Sequence, residues 1–259
     1  MKKMFSVILV ALVALAFGVP AQASFNDAGV VRVIYRTDGT VELATSLGQV
    51  SDFISGSNLT VGGGATLGFD LSKFGTGAAY QNLRMAYWAF DSSTGESYVS
   101  GNSDFGIPTN GILGAFDAFQ AATNSAQVYY RTLPPANTQS DPVQVSADKN
   151  FALSYWNKMN SGGGTTGKFK TFLDDGNAEI SLANLASGGS VDLGFYKWDY
   201  EEYAAAGDLV ATIRTLIGTD GFGQTIVNPS GGPAVPVPAA VWLLGTGLVG
   251  LVGIRRRKN

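Results

Sequence analysis

Two hydrophobic patterns divide this chain. Near each end the apolar residues run together, from Met4 to Val19 and from Val237 to Ile254; between them they come in short bursts of period two. Val30 to Arg36 (VVRVIYR) and Val41 to Ser46 (VELATS) flank Asp38-Gly39 and predict a β-hairpin, because that dipeptide tolerates the positive φ angles of a tight turn. Further strands are predicted at Ala65 to Leu71, Leu83 to Phe90, Ser97 to Ser100, Val128 to Leu133, Phe151 to Trp156, Lys168 to Leu173, Ser190 to Trp198 and Leu209 to Ile217. Glycine and serine punctuate the gaps, as in Ser161 to Gly167 and Ser187 to Ser190. About ten short strands so spaced predict an all-β domain, a sandwich or jelly roll. One helix is predicted at Gly111 to Ala122, with Leu113, Phe116 and Phe119 or Gln120 near one face. No internal repeat is evident. Asn137 to Pro142, after Pro134-Pro135, fits a surface loop, with a boundary between two subdomains as the alternative.

The apolar ends are targeting segments. Lys2 and Lys3 precede the first run, and Ala21-Gln22-Ala23 after it is a small-x-small cleavage site, so the mature chain is expected to begin at Ser24. The alternative, an uncleaved anchor, suits the run less well because it is short for a span. Val237 to Ile254 covers about 27 Å as a helix, just enough for a bilayer core. Pro238 sits in its first turn, where a missing N–H costs nothing, and Trp242 lies at the interface depth its ring favours. Arg255, Arg256, Arg257 and Lys258 form a cationic stop that stays cytoplasmic and leaves the preceding domain outside. Gly245, Gly247, Gly250 and Gly253 thin this helix, either for entry by a membrane protease or for ordinary small-residue packing through Thr246 and Gly250. The organisation is then a signal peptide at 1–23, an exported β-rich domain at 24–228, a flexible tether at 229–234 and a C-terminal segment at 235–259.

Charge changes meaning once the ends are set aside. Removing Lys2, Lys3 and the four terminal cations leaves 11 of the 17 basic residues against all 20 acidic ones, about −9. Such a surface disfavours nucleic acid and anionic lipid, and suits solubility, weak cation binding or neutral partners such as glycans. The chain contains no cysteine and no histidine. Stability must come from packing without disulfides, and Ser-His-Asp, Cys-His and ordinary zinc chemistry are excluded. Carboxylate chemistry, Ser-Lys pairs and oxygen-ligated calcium remain.

Three stretches carry candidate chemistry. Phe195 to Tyr203 (FYKWDYEEY) holds five aromatics and three carboxylates in nine residues, so Tyr196, Trp198 and Tyr200 are candidate glycan contacts; alternating positions there equally suit a sandwich core. Met85 to Phe90 (MAYWAF) has the same two readings and favours core. Asp174, Asp175, Asn177 and Glu179 offer oxygen ligands of the kind Ca2+ takes, without EF-hand spacing and in a run that is also good turn chemistry. Asp199, Glu201 and Glu202 contain a conceivable glycosidase pair, which would need two carboxylates facing each other at roughly 5 to 10 Å. No motif supports Ser-Lys catalysis. The residues thus favour a non-enzymatic exported protein that needs no cofactor, with a secreted carbohydrate-active enzyme or a simple single-pass anchored protein as alternatives.

Val235-Pro236-Val237-Pro238-Ala239, the apolar run and the cationic stop together resemble the PEP-CTERM class of bacterial sorting signals, most closely its VPLPA variant. The resemblance covers about 25 residues. It implies handling by signal peptidase and then by an exosortase, a membrane cysteine transpeptidase of Gram-negative bacteria that also make exopolysaccharide. It further implies an inner-membrane intermediate, cleavage near the proline motif, and release or transfer to the cell surface or extracellular matrix, with a role in biofilm, exopolysaccharide or adhesion. Val237 stands where the parent motif has glutamate and the variant commonly leucine. No family resemblance is evident for residues 24 to 228.

Overall fold

Along Val30 to Tyr35 every residue is buried, on both faces of the strand, so this segment must have a core on either side. The computed structural model, which describes residues 25–111, 115–135, 143–160, 166–200 and 202–229, supplies both. Its strands are β1 (Gly29–Arg36), β2 (Val41–Gln49), β3 (Leu59–Val61), β4 (Leu83–Phe90), β5 (Ser97–Gly101), β6 (Thr109–Asn110), β7 (Gln144–Asp148), β8 (Leu173–Asp175), β9 (Ile180–Ser181), β10 (Ser190–Trp198), β11 (Asp208–Ile217) and β12 (Gly223–Val227). Its helices are α1 (Val50–Ser55), α2 (Gly64–Leu67), α3 (Ala115–Thr132) and α4 (Tyr155–Met159). The signal-peptide residues and the sorting tail lie outside the described residues, as do 136–142 and 161–165. Among the described residues no helix is long and apolar enough to cross a membrane.

The domain is mostly strand, as the alternating pattern predicts. The strands form one curled antiparallel sheet in the order β3-β12-β11-β10-β5-β4-β1-β2-β7, with β9 on β4, and β6 and β8 pair separately. Where a sandwich would have two sheets, β5 pairs with both β4 and β10, so the ladder never breaks. One face of β1, β2, β4 and β10 curls around Val30, Ile34, Leu43, Met85, Tyr87, Leu193 and Phe195. The opposite face, with Val31, Val33, Trp88, Val99, Tyr196 and Trp198, is covered by Phe116, Phe119, Ala126 and Tyr130 of α3 and by the 166–178 segment. In β1, β2 and β4 alternation thus sorts residues between two cores, whereas β11 and β12 alternate between core and half-buried positions.

The hairpin of β1 and β2 forms where expected, with a different cause. Gly39 is not among the positive-φ glycines; a Cβ there would lie 2.7 Å from Arg36 Cδ, whose guanidinium reaches Asp38 at 2.7 Å. Glycine leaves room there for the Arg36 side chain to lie across the turn.

Four predicted strands are not strands. Val128–Leu133 continues α3, because Ala115, Phe116, Phe119, Ala122, Ala126 and Tyr130 recur at helical spacing and all face the sheet; the helix predicted at Gly111–Ala122 therefore runs on to Thr132. Ala65–Leu71 is split between α2 and a 3-10 turn capped by Asp70. Phe151–Trp156 is interrupted by Ser154, whose hydroxyl accepts from Asn157 N and caps α4. In Lys168–Leu173, the residues Phe169, Lys170 and Thr171 take φ of 48, 57 and 69°, which turns Phe169 and Phe172 into the core against Phe119.

Candidate functional site

The most concentrated polar chemistry lies inside the helix-covered core. Alternation along β2 puts Glu42 beside Ala44 on that face, where it is fully buried. Its Oε1 accepts from Tyr130 Oη at 2.6 Å and Tyr155 N at 3.0 Å, and its Oε2 from Trp156 N at 2.9 Å. Tyr155 then passes to a second buried carboxylate: its hydroxyl donates to Glu179 Oε1 at 2.8 Å, while Tyr35 Oη donates to Glu179 Oε2 at 2.8 Å. Asn160 Nδ2 completes the donors to Glu179. Burial pushes both carboxyls up to about 7; the tyrosine hydroxyls, with Lys149 near Glu42 and Arg84 near Glu179, pull the other way. Burial and the neighbouring carboxylates raise the tyrosines in turn. Lys149 is tethered to Arg36 O at 2.7 Å and lies 5.0 Å over the Trp156 ring. Sealed from solvent and surrounded by donors, this network holds elements together.

The curled face has its own buried ion. Arg32 donates to Gly62 O, Thr225 Oγ1, Thr45 Oγ1 and Leu67 O, and its guanidinium carbon lies 5.2 Å from the Phe69 ring centroid. Every acceptor is neutral, and burial lowers the guanidinium's pKa. No sequence motif marks Arg32, Glu42 or Glu179 as partners of these groups. The one local sign is a charge at a strand position beside a small apolar residue on the same face, as Glu42 is beside Ala44.

The aromatic run at the end of β10 divides. Tyr196 and Trp198 face the core; Trp198 Nε1 donates to Ala205 O at 3.0 Å and its ring meets Phe172 edge to face. Tyr200 and Tyr203, in the loop beyond, are 50% and 40% exposed. Both rings meet Phe116 edge to face, at 5.8 and 6.3 Å. Beside them Lys197 bridges Glu96 at 3.0 Å and Asp199 at 2.8 Å, and Glu202 Oε2 accepts from Asp199 N at 2.8 Å. Glu201 lies outside the described residues.

Asp174, Asp175, Asn177 and Glu179 do not converge. Asp174 and Asp175 are exposed, Asp175 Oδ1 accepts from Gly176 N, Asn177 Oδ1 accepts from Glu179 N, and the Glu179 carboxylate points into the core. Among the described residues no group of three or more acidic side chains is placed to hold a metal ion. The signal-cleavage residues Ala21, Ala23 and Ser24, the proline motif Val235 to Ala239 and the cations Arg255 to Lys258 lie outside the described residues.

Against known proteins, residues 234–258 match the family model of the PEP-CTERM protein-sorting motif. The chain carries that sorting signal, which implies processing by an exosortase, export, and placement at the cell surface or outside the cell. No curated protein and no solved structure matches the chain.

Proposed function

We propose that this chain is a non-enzymatic surface or matrix protein of a Gram-negative envelope. Its β domain, residues 24 to 228, is exported behind a cleaved signal peptide and held by the tail as an inner-membrane intermediate. An exosortase then cuts near Val235 to Ala239, and the released domain serves in adhesion, biofilm or exopolysaccharide. The match of residues 234–258 to the sorting motif carries this reading. The absence of histidine and cysteine supports a role without catalysis, as does the engagement of Asp199 with Lys197 and of Glu202 with the backbone of Asp199. No cofactor is invoked.

The test is the intact mass of the protein recovered from the surface fraction of its native host. A species beginning at Ser24 and ending between Val235 and Ala239, with or without an added group, supports the proposal. A species running through to Asn259 while the exosortase is expressed overturns it and leaves the tail as a plain anchor.

A further inference from the structure

Among the described residues, Tyr200 and Tyr203 are two large exposed side chains held by the same buried ring. Each is braced edge to face against Phe116, itself buried, at interplanar angles of 69 and 77°. Tyr200 is further seated on Gly95, where φ is +78° and an added Cβ would lie 2.9 Å from the tyrosine Cβ. Two rings packed against one third ring are close enough for a single oligosaccharide to cover both. Rings fixed in this way lose little side-chain entropy when something stacks on them.

The rim of the patch is polar and equally fixed. Lys197 holds Glu96 and Asp199, Tyr98 Oη donates to Glu96 at 2.6 Å, and Glu202 is folded back on the Asp199 backbone. Asp199 and Glu202 each have one carboxylate oxygen in these contacts, and the second oxygen of each makes none among the described residues. A ligand suited to this arrangement offers C–H faces to the rings and hydroxyl donors to the carboxylates. It should not be anionic, since without Lys2, Lys3 and the four terminal cations the chain has 11 basic against 20 acidic residues and repels anions, and a neutral polymer meets the rings without charge.

We propose that Tyr200 and Tyr203, flanked by Asp199 and Glu202, form a platform that stacks against the pyranose faces of a neutral polysaccharide. This rests on the surface role proposed above and specifies its ligand class. Of the three candidate contacts Tyr196, Trp198 and Tyr200 it keeps Tyr200 and adds Tyr203, since the core has absorbed the other two.

The experiment is native affinity electrophoresis of the full chain in mild detergent, through gels containing soluble β-glucan, galactomannan or alginate. Retardation is expected in at least one neutral gel and not in alginate. The double variant Tyr200→Ala, Tyr203→Ala is expected to weaken it about tenfold or more, while Tyr200→Phe, Tyr203→Phe keeps the rings and most of the binding. If the double alanine variant loses its folded circular dichroism, Tyr200→Ala alone is used. The proposal falls if neither neutral polymer retards the protein, if alginate does so equally, or if the alanine variant binds as before. It falls also if the wild-type protein self-associates through these tyrosines, as multi-angle scattering of the same variants would show. A protein that is correctly sorted and fails here loses only this ligand, and the mass measurement tests the sorting separately.

Discussion

Tyr155 joins two carboxylates far from each other in sequence, Glu42 through its backbone N–H and Glu179 through its hydroxyl. Both carboxyls have a folded pKa near 7 against 4.5 for the free group, so the folded state holds protons that the unfolded chain releases. Stability from these protons is complete below about pH 4.5 and is lost as the pH rises through 7. Asp38, Asp91 and Glu96 are held low instead, mainly by hydrogen bonds from Arg36, Ser93 and Tyr98, and their contribution disappears on acidification below about pH 4. The melting temperature should therefore fall between pH 5 and 7. Glu42→Gln should remove one of the two titrations and reduce that slope by about half, whatever it does to the absolute value. Differential scanning calorimetry in steps of pH checks this. An unchanged slope would mean that Glu42 is ionised throughout the range. None of this could be read from the sequence: a strand pattern says which face Glu42 occupies, but not that Tyr130, Tyr155 and Trp156 arrive there from helices.

At the scale of elements, period-two segments were legible and competing segments were not. Leu83–Phe90 and Ser190–Trp198 are strands over the residues predicted: beyond Arg84 the first is buried on both faces, and the second alternates Val191, Leu193 and Phe195 in the core with half-buried Ser190, Asp192 and Gly194. Val128 to Leu133 reads as strand by composition, with Val, two Tyr and Thr, yet belongs to a helix whose buried positions begin at Ala115. Over 18 residues the 3.6 period outweighs the β preference of the last few. The short edge strands β3, β6, β8 and β9 have two or three residues each and give no periodic signal. The helical assignment makes opposite predictions for close neighbours. Phe119, fully buried against Phe169 and Phe172, should cost about 3 to 5 kcal/mol on truncation to alanine. Val128, half exposed on the outer side of the same helix, should change stability by less than about 0.5 kcal/mol as Val128→Ala. Chemical denaturation of the two variants decides between them. A large loss at Val128 would show that this segment does not lie as α3 does.

At the scale of the whole domain, the distinctive feature is one sheet serving two cores, and Arg32 is where the curl closes. From β1 it reaches Thr225 on β12 and the carbonyls of Gly62 and Leu67, and Tyr87 of β4 reaches Thr215 and Thr225 at 2.8 and 2.7 Å. A sequence reader sees a lone arginine in VVRVIY and would place it on a solvated face. The curl instead supplies neutral acceptors to both terminal nitrogens of the guanidinium, without an acid, and leaves its Nε buried and unpartnered. Arg32→Met would take the side-chain donor from the buried Gly62 carbonyl, while Thr225 keeps Tyr87 and Thr45 and Leu67 keep Gln144, and should destabilise the protein by about 1 to 3 kcal/mol. Because β1 and β4 contribute side chains to both cores, that loss should not open the curled side alone. Trp88, Trp156 and Trp198 all report on the helix-covered core, whereas far-ultraviolet circular dichroism reports on the entire sheet. In Arg32→Met both signals should shift to lower denaturant by the same amount and remain coincident, as a single cooperative unit requires. If the dichroism were lost first while tryptophan fluorescence stayed native, the curl would be a separate folding unit, and the two faces of β1 would not be energetically coupled.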